Sequence, residues 1–324
     1  MPGFFLETGV MPSPPPELVA RVGGGYDEMV EIATFNRRVI DSLLPEDWDY
    51  RGKAVLDFGC GIGRSVATYH DLRHDTEVFG CDIHAPSIRW AVEALSPPFE
   101  FFVCDEEPQL AQPDARFDLV YACSVFTHIT DAWARWLVEL ARVLRPGGIL
   151  VASVLNRPMI GPVFGREWDE RLGMAAGHRG RDWDAGGPCV LLAEWWIREH
   201  WGRGFEILHF QEAANSSSPA VGHGWVVGRR RPGDALTAEE LESVDPGDRR
   251  EWLARDYNLE MLAHEARELG RRVARSEAAR AELERELVEL RAALSAMADS
   301  RSWRLTRPLR RAVARARCRW PRHR

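Results

Sequence analysis

The sequence predicts an α/β fold, a doubly wound, mostly parallel sheet of seven strands, followed by a separate helical extension. Three observations carry this. Short apolar runs alternate with helical periodicities from about residue 50 to 154. The first run ends in a glycine-rich turn, VLDFGCGIGRS at 55–65. Beyond residue 257 the spacing of apolar residues changes to a heptad repeat.

After a Pro-rich opening (Pro12–Pro16), apolar residues at Met29, Ile32, Ala33, Phe35, Val39, Ile40, Leu43 and Leu44 give 26–44 the spacing of a helix. Five apolar runs follow: AVLDFG (54–59), EVFGCDI (77–83), FEFFVCD (99–105), FDLVYACS (117–124) and GILVASV (148–154). Each has the continuous apolar character of a strand covered on both faces. Helical patterns separate them at 63–72, 86–95 and 131–145, the last stopped by RPGG. FEILHFQ (205–211) and GWVVGRRR (224–231), joined by EAANSSSPAVGH, complete the set as an antiparallel edge pair. Residues 232–256, with Pro232, Gly233, Pro246 and Gly247 among many charges, read as a linker.

From Leu262, positions 262, 266, 269, 273, 276, 280, 283, 287, 290, 294 and 297 advance by alternating four and three, and all but Ser276 and Arg280 are apolar. This is a coiled-coil seam, and it implies a partner helix, most simply another copy of the chain. The organisation is therefore an N-terminal segment and helix (1–49), a nucleotide-binding domain (50–231), the linker (232–256), a coiled coil (257–300) and a basic amphipathic tail (301–324).

The formal charge is −7, but the last 24 residues hold ten arginines and no acid. With 42 basic and 49 acidic residues in all, the first 300 residues carry 32 against 49, a body near −17 and a tail near +10. Such asymmetry points the tail at an anionic partner or surface. The opening stretch lacks a basic start, a long apolar run and a small-residue cleavage site, and no run reaches the ~18 apolar residues of a spanning helix. These features imply a cytoplasmic protein. Six cysteines occur without a CxxC pair, and Cys60, Cys81, Cys104 and Cys123 fall at or just after strand ends, as buried free thiols would; no metal site is expected.

The glycine turn decides the ligand. A dinucleotide fingerprint reads GxGxxG, whereas here the glycines are Gly59, Gly61 and Gly63, with Arg64 in the place of the third. Asp57 stands two residues before the first glycine, where it would repel phosphates and attract an ammonium group. A cationic nucleoside suits the turn better than a pyrophosphate.

At these residues the chain resembles the class I S-adenosylmethionine-dependent methyltransferases, whose first motif is like VLDFGCGIGR; the likeness runs over about 50–231. The resemblance implies a Rossmann-like methyltransferase fold and S-adenosyl-L-methionine as cofactor. It makes Asp57, Gly59, Cys60, Gly61 and Gly63 cofactor-binding residues of the turn and places Asp82, with Ile83 beside it, at the ribose hydroxyls. It also puts Asp105 near the adenine amino group, with Cys104 or Glu106 nearby, and Ser124 with Tyr121 beside the crevice. FDLVYACSVFTHI and LARVLRPGGILVASV match the fourth strand and the helix, turn and fifth strand of that family in order.

Methyl transfer from a sulfonium needs alignment and exclusion of water more than a dedicated base. A hydroxyl acceptor must still lose a proton, and His128, just past the fourth strand, is the candidate base or acceptor contact. The insert 155–204 carries Trp168, Asp169, His178, Asp182, Trp183, Asp184, Trp195, Trp196 and Trp201; aromatic rings with carboxylates suit sugar binding, although Trp195, Trp196 and Trp201 have the spacing of core residues.

The tail interleaves Trp303, Leu305, Leu309, Val313 and Trp320 with its arginines, which suits an anionic membrane surface more than nucleic acid. SRSWRLTRPLR also resembles the C-terminal ends of bacterial enzymes of surface-polysaccharide biosynthesis. The expectation is thus an O-methyltransferase acting on a saccharide or lipid-linked glycan, clustered by its coiled coil and peripheral at the inner membrane face. A small-molecule (natural-product) acceptor and a non-catalytic scaffold for glycan-assembly proteins are the alternatives.

Overall fold

The computed structural model describes residues 7–22, 25–179, 187–213, 222–233 and 236–310. They divide into two compact units, Met1–Leu262 and Ala263–Arg324.

The first unit opens with α1 (Pro16–Val22) and α2 (Tyr26–Leu43). Then come β1 (Ala54–Phe58), α3 (Arg64–Ala67), β2 (Glu77–Asp82), α4 (Ala85–Leu95), β3 (Glu100–Val103), β4 (Phe117–Ala122), α5 (Trp133–Val143) and β5 (Leu144–Val154). After α6 (Ile160–Phe164), β6 (Met174–Gly177) and β7 (Cys189–Leu192) form a separate antiparallel hairpin, followed by α7 (Glu194–His200), β8 (Phe205–Gln211) and β9 (Gly224–Arg230).

The seven-stranded sheet has the order β3-β2-β1-β4-β5-β9-β8, with β9 alone running against its neighbours. Alternation within the strands builds two cores. Leu56, Phe58, Val120, Leu150 and Ala152 face Trp136, Leu137 and Leu140 of α5. Val55, Leu119, Tyr121 and Val151 face Met29 and Ile40 of α2 and Ile88 and Leu95 of α4. Each such side chain contributes roughly 1.5–3 kcal/mol by leaving water. The chain order reverses between β1 and β4, and ligands of open α/β sheets lie outside the carboxyl ends of the strands at that point.

Three details depart from the sequence reading. β3 is only half covered, with Glu100 and Val103 exposed, because it is the sheet edge. β5 starts at Leu144, so RPGG lies inside the strand, opposite a register shift between Phe117 and Leu119. Residues 232–256, marked by composition as a linker, are in part packed on the first unit. α8 (Ala238–Glu242) opens with a Thr237–Glu240 capping box and buries Leu241 completely. α9 (Arg249–Asp299) begins inside the expected linker, and its first turns bury Ala254, Tyr257 and Met261. The buried Glu251 carboxylate there meets His200 Nε2 at 3.0 Å, while Nδ1 of the same ring donates to Leu241 O at 2.7 Å.

One polar cluster holds the amino end of β1 in place. Asp118 is nearly buried; it accepts from Ala54 N–H at 2.9 Å and from Arg145 Nη1 at 3.0 Å. Asp118→Ala leaves a buried N–H without a partner and is expected to destabilise the fold by about 2 kcal/mol, read as a lower urea midpoint at unchanged slope.

In the second unit the rest of α9 continues to Asp299, followed by α10 (Arg301–Leu305). There Arg310 lies over the Trp303 ring, 3.6 Å from its centroid. Residues 311–324, with Val313, Cys318 and Trp320 of the tail, lie outside the described residues. Among the described residues no helix is long and apolar enough to cross a membrane, and no cluster of His, Cys, Asp or Glu has the arrangement of a metal site.

Candidate functional site

β1 delivers its chain into the turn Gly59–Gly63 at the carboxyl end of the sheet. Gly59, Gly61 and Gly63 have φ of 78°, 57° and 75°, the left-handed region that favours glycine. Space demands glycine too: a Cβ on Gly59 would overlap Val125, and one on Gly63 would sit 2.8 Å from Phe101 Cε1. The backbone N–H groups of Gly59 and Cys60 both donate to Cys81 O at 2.9 Å, tying the turn to β2. The Cys60 thiol, pushed up by burial, stays protonated.

Asp82 closes β2 and joins the turn to the next helix. Its Oδ2 accepts from Gly61 N–H and its Oδ1 from His84 N–H, both at 2.8 Å. Each carboxylate oxygen keeps a second lone pair, so two vicinal hydroxyls can still donate to it. Beside it, Ile83 and Val103 are 40% and 49% exposed at the ends of β2 and β3, an apolar pair suited to a purine face. Asp105 and Glu106 follow β3 and are exposed; Asp105 Oδ1 accepts from Glu106 N–H at 2.7 Å.

Asp57, on β1, is 2% exposed. Burial raises its carboxyl to about 8; the Tyr121 hydroxyl and the Arg64 guanidinium oppose the rise, and the Asp82 charge adds to it. The acid is therefore mostly protonated at neutral pH, and a cation seated against it must displace that proton. Tyr121 lies fully buried, stacked on Tyr69 with ring centroids 5.8 Å apart, so it supports Asp57 from below instead of lining the open crevice.

The far side of the site follows β4. Ser124 has φ 61°, a strained value for a residue with a side chain; its N–H donates to Ser153 Oγ at 2.7 Å and its Oγ lies 3.3 Å from Thr127 Oγ1. His128 donates from Nδ1 to Pro188 O at 2.8 Å, which leaves Nε2 as the nitrogen of the neutral ring that can take a proton. Burial lowers its pKa, and the hydrogen bond to Pro188 only partly offsets this.

A second imidazole, His223, was not legible in the sequence. Its Nδ1 lies 3.0 Å from Ser153 Oγ. Ser153 is fully buried and its Oγ accepts from Ser124 N–H; in the tautomer in which the Ser153 hydroxyl donates to His223 Nδ1, His223 carries its own proton on Nε2. Burial, with added repulsion from His128, lowers the His223 pKa to about 4. In that tautomer His128 offers a proton acceptor and His223 a donor. The only signal for His223 is topological: β9 runs antiparallel to β5 with Gly224 opposite Val154, which carries the preceding residue to the carboxyl ends of β4 and β5.

The insert covers this end of the sheet. Val190 N–H of β7 donates to Thr127 O at 2.8 Å, next to His128. Trp196 and Trp201 are core residues, and Trp195 Nε1 donates to Leu172 O at 2.9 Å. Trp168 is partly buried beneath the Arg157 guanidinium. Asp169 is held below the usual carboxylate range by Arg171, and His178 stacks on Phe164. Asp182, Trp183 and Asp184 lie outside the described residues.

Residues 56–152 match a family described as a methyltransferase domain. A 2-methyl-6-phytyl-1,4-hydroquinone methyltransferase of a Synechocystis species is 37% identical over 120 residues, 36% of this chain and 35% of the relative. A ubiquinone biosynthesis O-methyltransferase of a Bradyrhizobium species is 36% identical over 108 residues, 33% of this chain and 41% of the relative. The chain thus spans well under half the length of these curated relatives. A solved S-adenosylmethionine-dependent methyltransferase from Mesorhizobium loti superposes with a TM-score of 0.48 at 24% identity, covering 60% of this chain and 96% of that one. The part of the chain that matches a methyltransferase domain, residues 56–152, holds the glycine turn, paired acids and apolar shelf, which fit S-adenosyl-L-methionine.

Proposed function

We propose that the chain is an S-adenosylmethionine-dependent O-methyltransferase whose acceptor hydroxyl is bound and deprotonated between His128 and His223. The two imidazoles at the loop after β4 carry this reading: His223 is linked through Ser153 to Ser124, and Val125 of the same loop as His128 lies against Gly59 of the turn. S-adenosylmethionine supplies a methyl group on a sulfonium sulfur already activated for displacement. Asp82 orients the nucleoside through its hydroxyls, and Asp57 and Arg64 offer charges of opposite sign to the zwitterionic amino-acid end. His128 Nε2 takes the acceptor proton as the oxygen becomes nucleophilic, and His223 Nε2–H steadies the charge gathering on that oxygen. The hairpin β6–β7 helps to exclude water.

The test is transfer of a deuterated methyl group from the cofactor to a panel of sugars, phenols and amines, followed by mass spectrometry of the products. Methylation on oxygen is expected; transfer to nitrogen alone contradicts the assigned roles. The narrower acceptor, a saccharide or lipid-linked glycan near an anionic membrane, is supported by SRSWRLTRPLR and the ten arginines of the tail. It predicts that surface glycan from cells lacking the protein loses a methyl ether. The curated relatives named above include a hydroquinone methyltransferase and a ubiquinone biosynthesis O-methyltransferase, which supports a quinol as the competing acceptor class.

A further inference from the structure

Every residue of α9 from Ala266 to Asp299 is exposed in the single chain. The exposed set includes Leu283, Leu290 and Leu294 at 65%, 62% and 63%, and Val273 at 55%. A helix of this length with no packed face lacks the tertiary contacts that stabilise most helices in water. From the structure and the charge pattern we infer that this segment pairs with a second copy of the chain as a parallel, two-stranded coiled coil in exact register.

The heptad frame places Ala266, Val273, Arg280, Leu287 and Leu294 at a, and Leu269, Ser276, Leu283, Leu290 and Met297 at d. Leucine at most d positions and β-branched Val273 at a suit two strands. The flanking charges suit a parallel pair and choose its register. The g positions are Glu265, Arg272, Ala279, Glu286 and Ala293, and the e positions Gly270, Glu277, Glu284, Arg291 and Ala298.

In a parallel pair each g residue faces the e residue five places further along the other helix. Arg272 then meets Glu277 of the partner subunit and Glu286 meets Arg291 of the partner subunit, each twice by symmetry. The other three combinations each contain an uncharged residue, so no like charges meet. Sliding one helix by a heptad keeps a single opposite pair, Arg272 with Glu284, and opposes Glu265 to Glu277 and Glu286 to Glu284. Only the unshifted register satisfies the charges. Arg280, the one charged a residue, is neutralised within its own helix, where Nε donates to Glu284 Oε1 at 2.9 Å. A single polar a position of this kind is a register-setting device that costs stability.

Sedimentation equilibrium of the full chain at micromolar concentration, together with oxidation of Met297→Cys, tests the inference. A dimer mass is expected, with Met297→Cys forming an interchain disulfide that the wild type does not form. Glu286→Arg should weaken the dimer at least tenfold, and Glu286→Arg/Arg291→Glu should restore it. A monomer at tens of micromolar, a trimer, a dimer in which Met297→Cys does not cross-link, or failure of the double variant to restore pairing would each overturn it. These outcomes are independent of methyl transfer, which none of the altered residues touches.

Discussion

Replacing His128 by glutamine is expected to lower kcat by about a hundred- to a thousandfold, the usual contribution of a positioned base, while the affinity for S-adenosylmethionine changes little. Glutamine can keep a donor to Pro188 O, so the local packing of the loop survives, but it cannot take the acceptor proton. The pH profile carries a second signature. Burial lowers the His128 pKa below its ordinary 6.5, so the active, neutral ring persists into mildly acidic solution. With S-adenosylmethionine saturating at every pH, kcat should stay flat from pH 8 to about 6.5 and fall only below that. In His128→Gln that acidic limb disappears. A variant that retained the wild-type profile at reduced rate would assign the limb to another group.

Asp57→Asn is expected to move stability and binding in opposite directions. The folded-state carboxyl titrates at about 8, far above the ordinary carboxyl value of ~3.9 in an unfolded chain. Between those values the folded chain holds a proton that the unfolded chain has released, so stability falls as pH rises through that window. Asparagine has no proton to lose. The variant should therefore have a higher Tm than wild type at pH 8, with the gap closing as the pH approaches 4. Cofactor binding responds in the other sense, because a cation seated against Asp57 favours the ionised acid. Wild-type affinity should climb as pH rises from 6 to 8, by up to about tenfold per unit, and the variant should bind at least about tenfold more weakly at pH 8 without that climb.

The central strands were legible because a strand covered on both faces is a bare apolar run, as in AVLDF and FDLVYA, and the glycine turn because its residues need left-handed backbone. Asp57 and the three glycines stood out by type and spacing, and Asp82 only through the family resemblance. Other features needed the third dimension. β6 and β7, each four residues long (MAAG and CVLL), carry too little pattern to announce a hairpin. TAEE held the capping box of α8, but its surrounding Pro, Gly and charge suggested a linker. His223 reaches the site only through the antiparallel register of β9 on β5, which no local pattern encodes. The raised Asp57 carboxyl likewise follows from burial, with the Asp82 charge adding to it, and not from residue type.

Calorimetric titration at pH 8 with S-adenosylmethionine, and separately with NAD, tests most directly whether the carboxyl ends of β1 and β2 hold a sulfonium nucleoside. One molecule of S-adenosylmethionine per chain should bind, and Asp82→Ala should weaken it by at least about tenfold through loss of hydrogen bonds to a charged acceptor. Absence of binding at millimolar S-adenosylmethionine, or saturable binding of NAD that Asp82→Ala abolishes, would contradict the account.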